Sequence, residues 1–311
     1  MRGTIDFMTL SRRHLLLGAT LAPLTGRLSA LELSKIRLGV TTDEIDEDAL
    51  TAVKFLREFN LGWAEVRNVW GKYNTEQPMD KIQELRKIFD ENHIRLSILG
   101  TGFFKIPLPP ETPEGNKALD KQWQLLDRAM ERAKIMGTDQ LRVFGFTYKN
   151  GEMPDKANYP RIYELLRQAS KVAGAKGIRL AMENVNTSYV WSSKETADVL
   201  KHVKDDNFGL TWDPNNAAQT GEKSYPDGYK RLDAARIFHV HLRDFKKMPD
   251  GKVDWCAVGD GEMDNVGQIR SLLKDGYKGA FTLETHYKSP QGKAHASRTS
   301  LTALLKVIEK V

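Results

Sequence analysis

The chain has 311 residues, of which 40% are hydrophobic and 28% are charged, as in an ordinary globular protein with a sizeable core. Its formal net charge is +6, and residues 1–30 contribute half of it. The remaining positive charge is too small to indicate a nucleic-acid-binding surface, and no basic run with interleaved aromatic residues occurs. The single cysteine, Cys256, excludes an intramolecular disulfide.

The first thirty residues are predicted to be a targeting signal. Arg12 and Arg13 precede a short apolar stretch, Leu15–Leu24, in a layout that resembles the twin-arginine export signal. The apolar stretch is about half as long as a membrane helix requires, so no stable membrane span is expected. We predict a signal peptide over residues 1–30, export to the periplasm by the twin-arginine machinery, and a mature chain that begins near Leu31. The alternatives are a disordered basic N-terminus and a start site placed too early.

From residue 36 onward, short apolar runs alternate with longer amphipathic stretches. The apolar runs predict eight strands: Ile36–Thr41, Trp63–Val66, Arg95–Leu99, Gln140–Phe144, Ile178–Glu183, Phe208–Asp213, Ile237–Leu242 and Ala280–Glu284. The amphipathic stretches predict eight helices: Glu47–Phe59, Met79–Asn92, Lys117–Met136, Tyr159–Lys176, Lys194–Val203, Tyr225–Ala235, Val266–Asp275 and Ala294–Lys310. A segment with four prolines, Lys105–Asn116, is predicted to be a loop.

Eight strand–helix units favour an α/β fold, a single-domain (β/α)8 TIM barrel over residues 31–311. An open doubly wound sheet is the alternative. That fold usually has a glycine-rich turn after its first strand, and this chain has none there.

The active site of a TIM barrel lies at the carboxyl ends of its strands. The last four predicted strands carry residues that could bind a metal at or near their ends: Glu183, Asp213, His241 and Glu284. Because strand residues alternate between faces, one choice of phase places all four inside the barrel. The same phase turns Ile237 and His239 inward and Phe238 toward the helices. We predict His239 to be a hydrogen-bonded core residue.

Three carboxylates in a partly buried barrel mouth would repel one another, and a divalent cation would supply the missing positive charge. The sequence therefore predicts one divalent metal ion bound by these four residues. A ligand set of one imidazole and three carboxylates favours Mn²⁺, with Mg²⁺, Co²⁺, Fe²⁺ and Zn²⁺ as alternatives.

Each of the four predicted metal ligands lies in a short motif. The motifs are MEN at 182–184, WDPNNA at 212–217, HVHLRD at 239–244 and LE at 283–284. Together they resemble the sugar phosphate isomerase/epimerase family of the xylose isomerase-like TIM-barrel superfamily. The resemblance implies a small-molecule carbohydrate substrate, which would be a free sugar, a keto-sugar or a cyclitol. It also implies that Glu183 and Glu284 act as an acid–base pair, which removes a proton next to a carbonyl and returns one through an enediolate.

The resemblance further suggests which residues would surround the substrate. Arg243 would contact the substrate, and Asp244 would support the metal ligands from behind. Asn216 stands where ketose 3-epimerases carry a substrate-binding histidine, which disfavours that specificity. His286 is expected on the rim, and Trp70 is expected to stack on a sugar face. Further stacking candidates are Phe103, Phe104, Phe146 and Trp191.

Three functions remain open from the sequence. The first is an isomerase or epimerase. The second is a lyase or dehydratase that uses the same site. The third is a carbohydrate-binding protein without catalysis. The oligomeric state also remains open, and a homo-oligomer is compatible with the sequence.

Overall fold

The computed structural model describes residues 36–148 and 154–311, in which eight parallel strands form a closed barrel in chain order. The strands are β1 Arg37–Thr41, β2 Trp63–Val66, β3 Arg95–Gly100, β4 Gln140–Val143, β5 Arg179–Glu183, β6 Phe208–Trp212, β7 Ile237–Leu242 and β8 Ala280–Leu283. Pairing of β8 with β1 closes the barrel. The prediction of a single-domain TIM barrel is confirmed. The predicted signal peptide lies outside the described residues.

The barrel strands alternate with helices of very different lengths. The helices that follow the strands are α1 Ala49–Glu58, α2 Met79–Glu91, α3 Pro113–Met136, α4 Tyr159–Gly174, α5 Ser193–His202, α6 Pro214–Gln219, α7 Asn265–Lys274 and α8 Lys293–Ile308. A four-residue helix, Thr42–Ile45, also lies between β1 and α1. Within residues 36–148 and 154–311, none of the helices combines the length and the apolar character needed to cross a bilayer.

Two helix predictions were wrong. The predicted helix Tyr225–Ala235 is a series of short irregular turns, because the backbone is extended at Tyr225, Leu232 and Asp233. The Asp233 side chain accepts a hydrogen bond from Ala235 N–H and so begins a separate turn. In its place the short helix α6 follows β6 directly. Helix α3 begins at Pro113, four residues earlier than predicted. Thr112 caps it by accepting a hydrogen bond from Gly115 N–H, and proline is favoured in the first helical turn.

The amino-terminal part of the barrel interior is filled by apolar side chains. Phe238 packs there with Ile98 and Ala181, whereas Ile237 joins the main core, so the predicted phase was wrong at these two positions. The reason is an irregularity in the pairing of β6 with β7, which breaks the simple alternation of faces. Gly209 accommodates the aromatic ring, since a Cβ at that position would lie 2.7 Å from it.

Two hairpins extend the loops at the carboxyl ends of the strands. One pairs Asn68–Val69 with Lys72–Tyr73 after β2. The other pairs Asp244–Lys247 with Val253–Cys256 after β7. The second hairpin accounts for part of the long interval between β7 and β8, and it carries an aromatic residue toward the barrel mouth.

Candidate active site

The four predicted metal ligands converge in the carboxyl-terminal half of the barrel. Glu183 ends β5, Asp213 precedes α6, His241 lies in β7, and Glu284 follows β8. All four are buried, and one ligand atom from each lies within 4.8 Å of the others. The Nδ1 atom of His241 is 3.3 Å from carboxylate oxygens of both Glu183 and Glu284 and 3.9 Å from Asp213. The convergence that strand alternation implied is therefore present.

This cluster fits a divalent cation by its donor chemistry. Carboxylate oxygens and one imidazole nitrogen form a mostly hard ligand set. His241 Nδ1 is buried and forms no hydrogen bond within the described residues, although it faces three carboxylates. A cation at the centre of the cluster would give this nitrogen and the carboxylates a common partner. The preference for Mn²⁺ stays a prediction.

Glu65 orients the His241 ring from behind. Its Oε2 atom accepts a hydrogen bond from His241 Nε2 at 2.8 Å and one from His239 Nε2 at 3.1 Å, and all three side chains are fully buried. A proton on Nε2 of His241 leaves the lone pair of Nδ1 directed at the carboxylates, as a metal ligand requires. His239 is the hydrogen-bonded core residue that the sequence predicts.

Asp244 does not take the supporting role predicted for it. Its carboxylate accepts hydrogen bonds from the backbone N–H groups of Phe245, Gly259 and Met263, and from the amide of Asn265. The chain turns into a hairpin immediately after β7, so this side chain faces the loop that precedes α7. Asp244 therefore orders that loop.

Arg142 forms ion pairs with Glu65 and with both residues of the predicted acid–base pair. Its guanidinium is buried in the barrel, with Nη1 3.1 Å from Glu65 and 3.8 Å from Glu284, and with Nε 3.4 Å from Glu183. Gly100 leaves space for this pairing, since a Cβ there would approach both Arg142 and Glu65 to 3.2 Å. Arg142 can thus hold both carboxylates of the acid–base pair in place.

Arg67 and Arg243 complete the positive charge around the cluster. Arg67 forms an ion pair of 2.5 Å with Glu284 and also pairs with Asp43 and Glu44. Arg243 pairs with Asp213. The repulsion between carboxylates that the sequence suggested is therefore partly relieved by the protein itself.

The network still has more negative than positive groups. Its carboxylates are those of Asp43, Glu44, Glu65, Glu183, Asp213 and Glu284. Its guanidinium groups are those of Arg67, Arg142 and Arg243. Six carboxylates against three guanidinium groups leave an excess of negative charge inside the barrel, which a divalent cation would reduce.

Opposite charges keep the two predicted acid–base residues ionised. Burial alone would raise the pKa of Glu183, but the charges of Arg142 and His241 outweigh burial and lower the pKa. Burial would likewise raise the pKa of Glu284, but His241 and Arg67 hold it well below its usual range. Both carboxylates can therefore accept a proton at neutral pH.

The other two members of the cluster respond differently to burial. Burial raises the pKa of Asp213, because Arg243 offsets only part of the cost of a buried charge. Burial would lower the pKa of His241, but the nearby carboxylates, Glu65 first among them, raise it well above its usual value. Without a cation, His241 thus carries positive charge into the cluster.

Three of the four predicted substrate contacts lie at this site. Arg243 donates hydrogen bonds to Asn216 Oδ1 and to His286 Nδ1, both at 2.8 Å, as well as to Asp213. The amide of Asn216 lies 3.4 Å from Glu183. Asn216, Arg243 and His286 line one cleft of about 250 Å³. Its other lining residues are Arg67, Lys105, Arg142, Glu183, Val185, Asn186, Gln219, Trp255 and Glu284.

The predicted stacking aromatics lie elsewhere. Trp70 does not line the cleft; its ring lies 5.1 Å from the Lys81 ammonium and packs against the hydrophobic core. The side chains of Phe103, Phe104 and Phe146 are fully buried, so they cannot stack on a ligand. Trp191 is not a lining residue either. Trp255, on the hairpin after β7, is the aromatic residue of the cleft.

The sequence model of the xylose isomerase-like TIM barrel matches residues 53–307. The chain belongs to this family. Its barrel and its convergent cluster at the carboxyl ends of the strands agree with that membership.

Two curated relatives of this xylose isomerase-like barrel carry the same activity in their names. The 3-dehydroshikimate dehydratase of Pseudomonas putida (strain KT2440) is 27% identical over 180 residues, which make up 53% of this chain and 26% of that protein. A 3-dehydroshikimate dehydratase of Pseudomonas aeruginosa also matches. The chain spans about a quarter or less of the length of these curated relatives.

Solved structures share the fold at low identity. The IOLI protein with a bound zinc atom has a TM-score of 0.71 at 17% identity, over 88% of this chain and 99% of that one. D-allulose 3-epimerase from Methylomonas sp., in complex with D-allulose, has a TM-score of 0.69 at 16% identity, over 87% of this chain and 96% of that one. At these identities the similarity shows the fold alone.

Sequence reasoning missed Glu65, Arg142 and Arg67 in this xylose isomerase-like site. A signal for the first two was present, because each is a charged residue between two apolar residues of a short strand, in AEV at 64–66 and LRV at 141–143. A charge there must be paired if the strand is buried on both faces. Arg67 follows β2 and carries no comparable pattern.

Proposed function

We propose that this protein is a metal-dependent isomerase or epimerase that acts on a hydroxylated carbonyl substrate such as a keto-sugar or a keto-cyclitol. One observation carries the proposal: two buried carboxylates, Glu183 and Glu284, reach the same point from strands that are not neighbours in the barrel. A divalent ion held by the four-residue cluster would acidify the C–H next to a carbonyl.

The protein's own side chains would supply the acid–base steps. Glu183 takes the proton from the carbon next to the carbonyl, and the electron pair of that C–H bond moves toward the carbonyl oxygen. Glu284, which is ionised at rest, takes up a proton from solvent and delivers it to the carbon from its own side, so that the enediolate returns to a carbonyl compound. Glu183 then releases its proton to solvent. Arg142 and Arg67 keep the two carboxylates in their positions through ion pairs, so that each can act on a substrate bound between them.

A second candidate is a dehydratase. The named activities of the two Pseudomonas relatives favour it. The first step is the same proton removal by Glu183. In the second step the electron pair expels a hydroxyl group from the next carbon, and a proton from the site makes it water. The same cleft would then yield an unsaturated carbonyl compound.

Proton exchange in D₂O tests the proposal. Chelator-treated protein is reloaded with Mn²⁺ or Zn²⁺ and incubated with keto-sugars and keto-cyclitols, and the substrate is followed by NMR. We expect metal-dependent incorporation of deuterium next to the carbonyl together with a change of configuration or of carbonyl position. Release of water would favour the dehydratase. Saturable binding without exchange would contradict both and leave the carbohydrate-binding function.

We also propose that the chain is exported through the twin-arginine machinery, on the layout of its first thirty residues. Changing both Arg12 and Arg13 to lysine should retain the full-length precursor in the cytoplasm of a bacterial host with an active twin-arginine system. The matched control is Arg27→Lys, which conserves the charge outside the arginine pair and should export normally. Cell fractionation and immunoblotting measure export. Export of the double variant to the same extent as the unmodified chain would contradict this route.

A further inference from the structure

Lys105 differs from the other cations that line the cleft. Arg67, Arg142 and Arg243 each form ion pairs with carboxylates of the cluster. The ammonium group of Lys105 has no ion-pair or hydrogen-bond partner within residues 36–148 and 154–311, although it lines the same cleft. Its side chain is exposed to solvent at the cleft, so its charge is available to a ligand.

The backbone around Lys105 holds it in a defined position. It follows Phe104, whose φ of 62° lies in the left-handed region that non-glycine residues rarely adopt. The ring of Phe104 is stacked between those of Phe103 and Phe146, at centroid distances of 3.8 and 4.1 Å. The Lys105 ammonium lies 4.8 Å from the centroid of the Phe144 ring, which supports the charge without neutralising it. The strained turn is thus buttressed by buried aromatic packing.

The neighbours of Lys105 in the cleft indicate what it could bind. Two carboxylates, Glu183 and Glu284, line the cleft with it, and both already pair with arginines. Asn186 and Gln219 offer neutral amides suited to hydroxyl groups. A ligand that carries one anionic group and several hydroxyls would match this distribution. A volume of about 250 Å³ limits such a ligand to a small molecule.

We propose that Lys105 binds a carboxylate of the substrate, so that the substrate class is a carboxylated polyhydroxy ketone. This inference rests on the proposed function, because it concerns the ligand of the same cleft. A carboxylate is favoured over a phosphate because phosphate sites usually provide several converging donors, such as backbone N–H groups or an unpaired arginine. Here one ammonium group is available, and the nearby guanidinium groups are engaged.

Matched ligand pairs test this inference on the Mn²⁺-loaded full-length chain. Binding of glucuronate is compared with glucose, and binding of quinate is compared with myo-inositol, by calorimetry or ligand-observed NMR. Glucose 6-phosphate distinguishes a phosphate from a carboxylate. We expect the acids to bind at least about tenfold more tightly than their neutral partners, because a hydrogen bond to a charged group is worth that much.

Variants then assign the preference to Lys105. Lys105→Met keeps most of the side-chain length but removes the charge, and it should reduce the acid-to-neutral ratio by about tenfold. Lys105→Arg should keep the ratio within a few-fold. The matched control is Lys278→Met, an exposed lysine in the loop that precedes β8, which should leave the ratio unchanged.

The outcomes separate this inference from the proposed function. An unchanged ratio in Lys105→Met, no preference for acids in the unmodified chain, or tightest binding of the phosphate would each overturn the carboxylate assignment. Deuterium exchange into a neutral keto-sugar that is unaffected by Lys105→Met would also overturn it, while the proposed enzyme function would stand. If the acids bind in a Lys105-dependent way but no keto-sugar or keto-cyclitol exchanges deuterium, the inference would be supported and the proposed enzyme function contradicted.

Discussion

Glu183→Gln is expected to lower deuterium exchange and turnover by about 10²- to 10⁴-fold, the usual contribution of a positioned general base. Glutamine has nearly the same shape and can still offer an oxygen to a cation, but it cannot accept the substrate proton. The ion pair with Arg142 at 3.4 Å holds this carboxylate ionised and in place, so little of its function can pass to another group. Glu284→Gln should have a loss of similar size.

Metal loss must be separated from loss of the base, because both glutamates are predicted ligands. Asp213→Asn provides the comparison: it removes a ligand charge from the same cluster without removing either acid–base residue. At saturating Mn²⁺, we expect Asp213→Asn to regain a large part of its exchange rate and Glu183→Gln to remain inactive. Metal titrations monitored by exchange provide the measurement. Recovery of Glu183→Gln at high Mn²⁺ would show that this residue acts only as a ligand.

The positions of the four cluster residues could be predicted from the sequence because they depend on two regular features. Parallel strands of a barrel end on one face, and side chains alternate along each strand. Glu183, Asp213, His241 and Glu284 follow both rules. Phe238 does not, since an irregular pairing with β6 breaks the alternation, and nothing in the local sequence marks that break.

The remaining parts of the site depend on distant contacts. Glu65 and His241 are 176 positions apart in the chain, and their hydrogen bond forms only because the barrel places both inside. Trp70 is among the aromatic contacts predicted from the sequence, whereas Trp255 is not. The fold places only the second of them on the cleft. The polar groups of the site are therefore brought together by contacts between distant strands and loops, which the periodicity of the sequence alone does not predict.

Glu65→Gln is expected to weaken metal binding by about 10- to 100-fold, the usual effect of losing the carboxylate that supports a ligating histidine. A glutamine amide has one acceptor oxygen for the donors that now share the carboxylate: His239, His241 and Arg142. If the glutamine NH₂ group faces His241, the imidazole must accept a hydrogen bond at Nε2 and therefore carry its own proton on Nδ1. That tautomer cannot offer Nδ1 to a cation.

The same substitution should destabilise the barrel. It leaves the buried guanidinium of Arg142 without one of its carboxylate partners, and breaking a buried pair from one side costs about 3–5 kcal/mol. Urea unfolding of the chelator-treated protein measures this loss. Asp43→Asn is the matched control: Asp43 is buried and pairs with Arg67 in the same network but has no contact with His241 among the described residues, so metal affinity should change little.

Two readouts establish whether Glu65 acts through the His241 ring. Competition with a metal-binding dye gives the affinity for Mn²⁺ and Zn²⁺, and ¹⁵N chemical shifts of the imidazole give the tautomer. We expect Glu65→Gln to change both, and Glu65→Asp, which keeps the charge, to restore the tautomer with part of the affinity. A loss of stability with unchanged affinity and an unchanged tautomer would show that Glu65 only neutralises Arg142. A change in both would mean that a fully buried carboxylate, which does not itself line the cleft, decides which nitrogen of His241 is available to the ion.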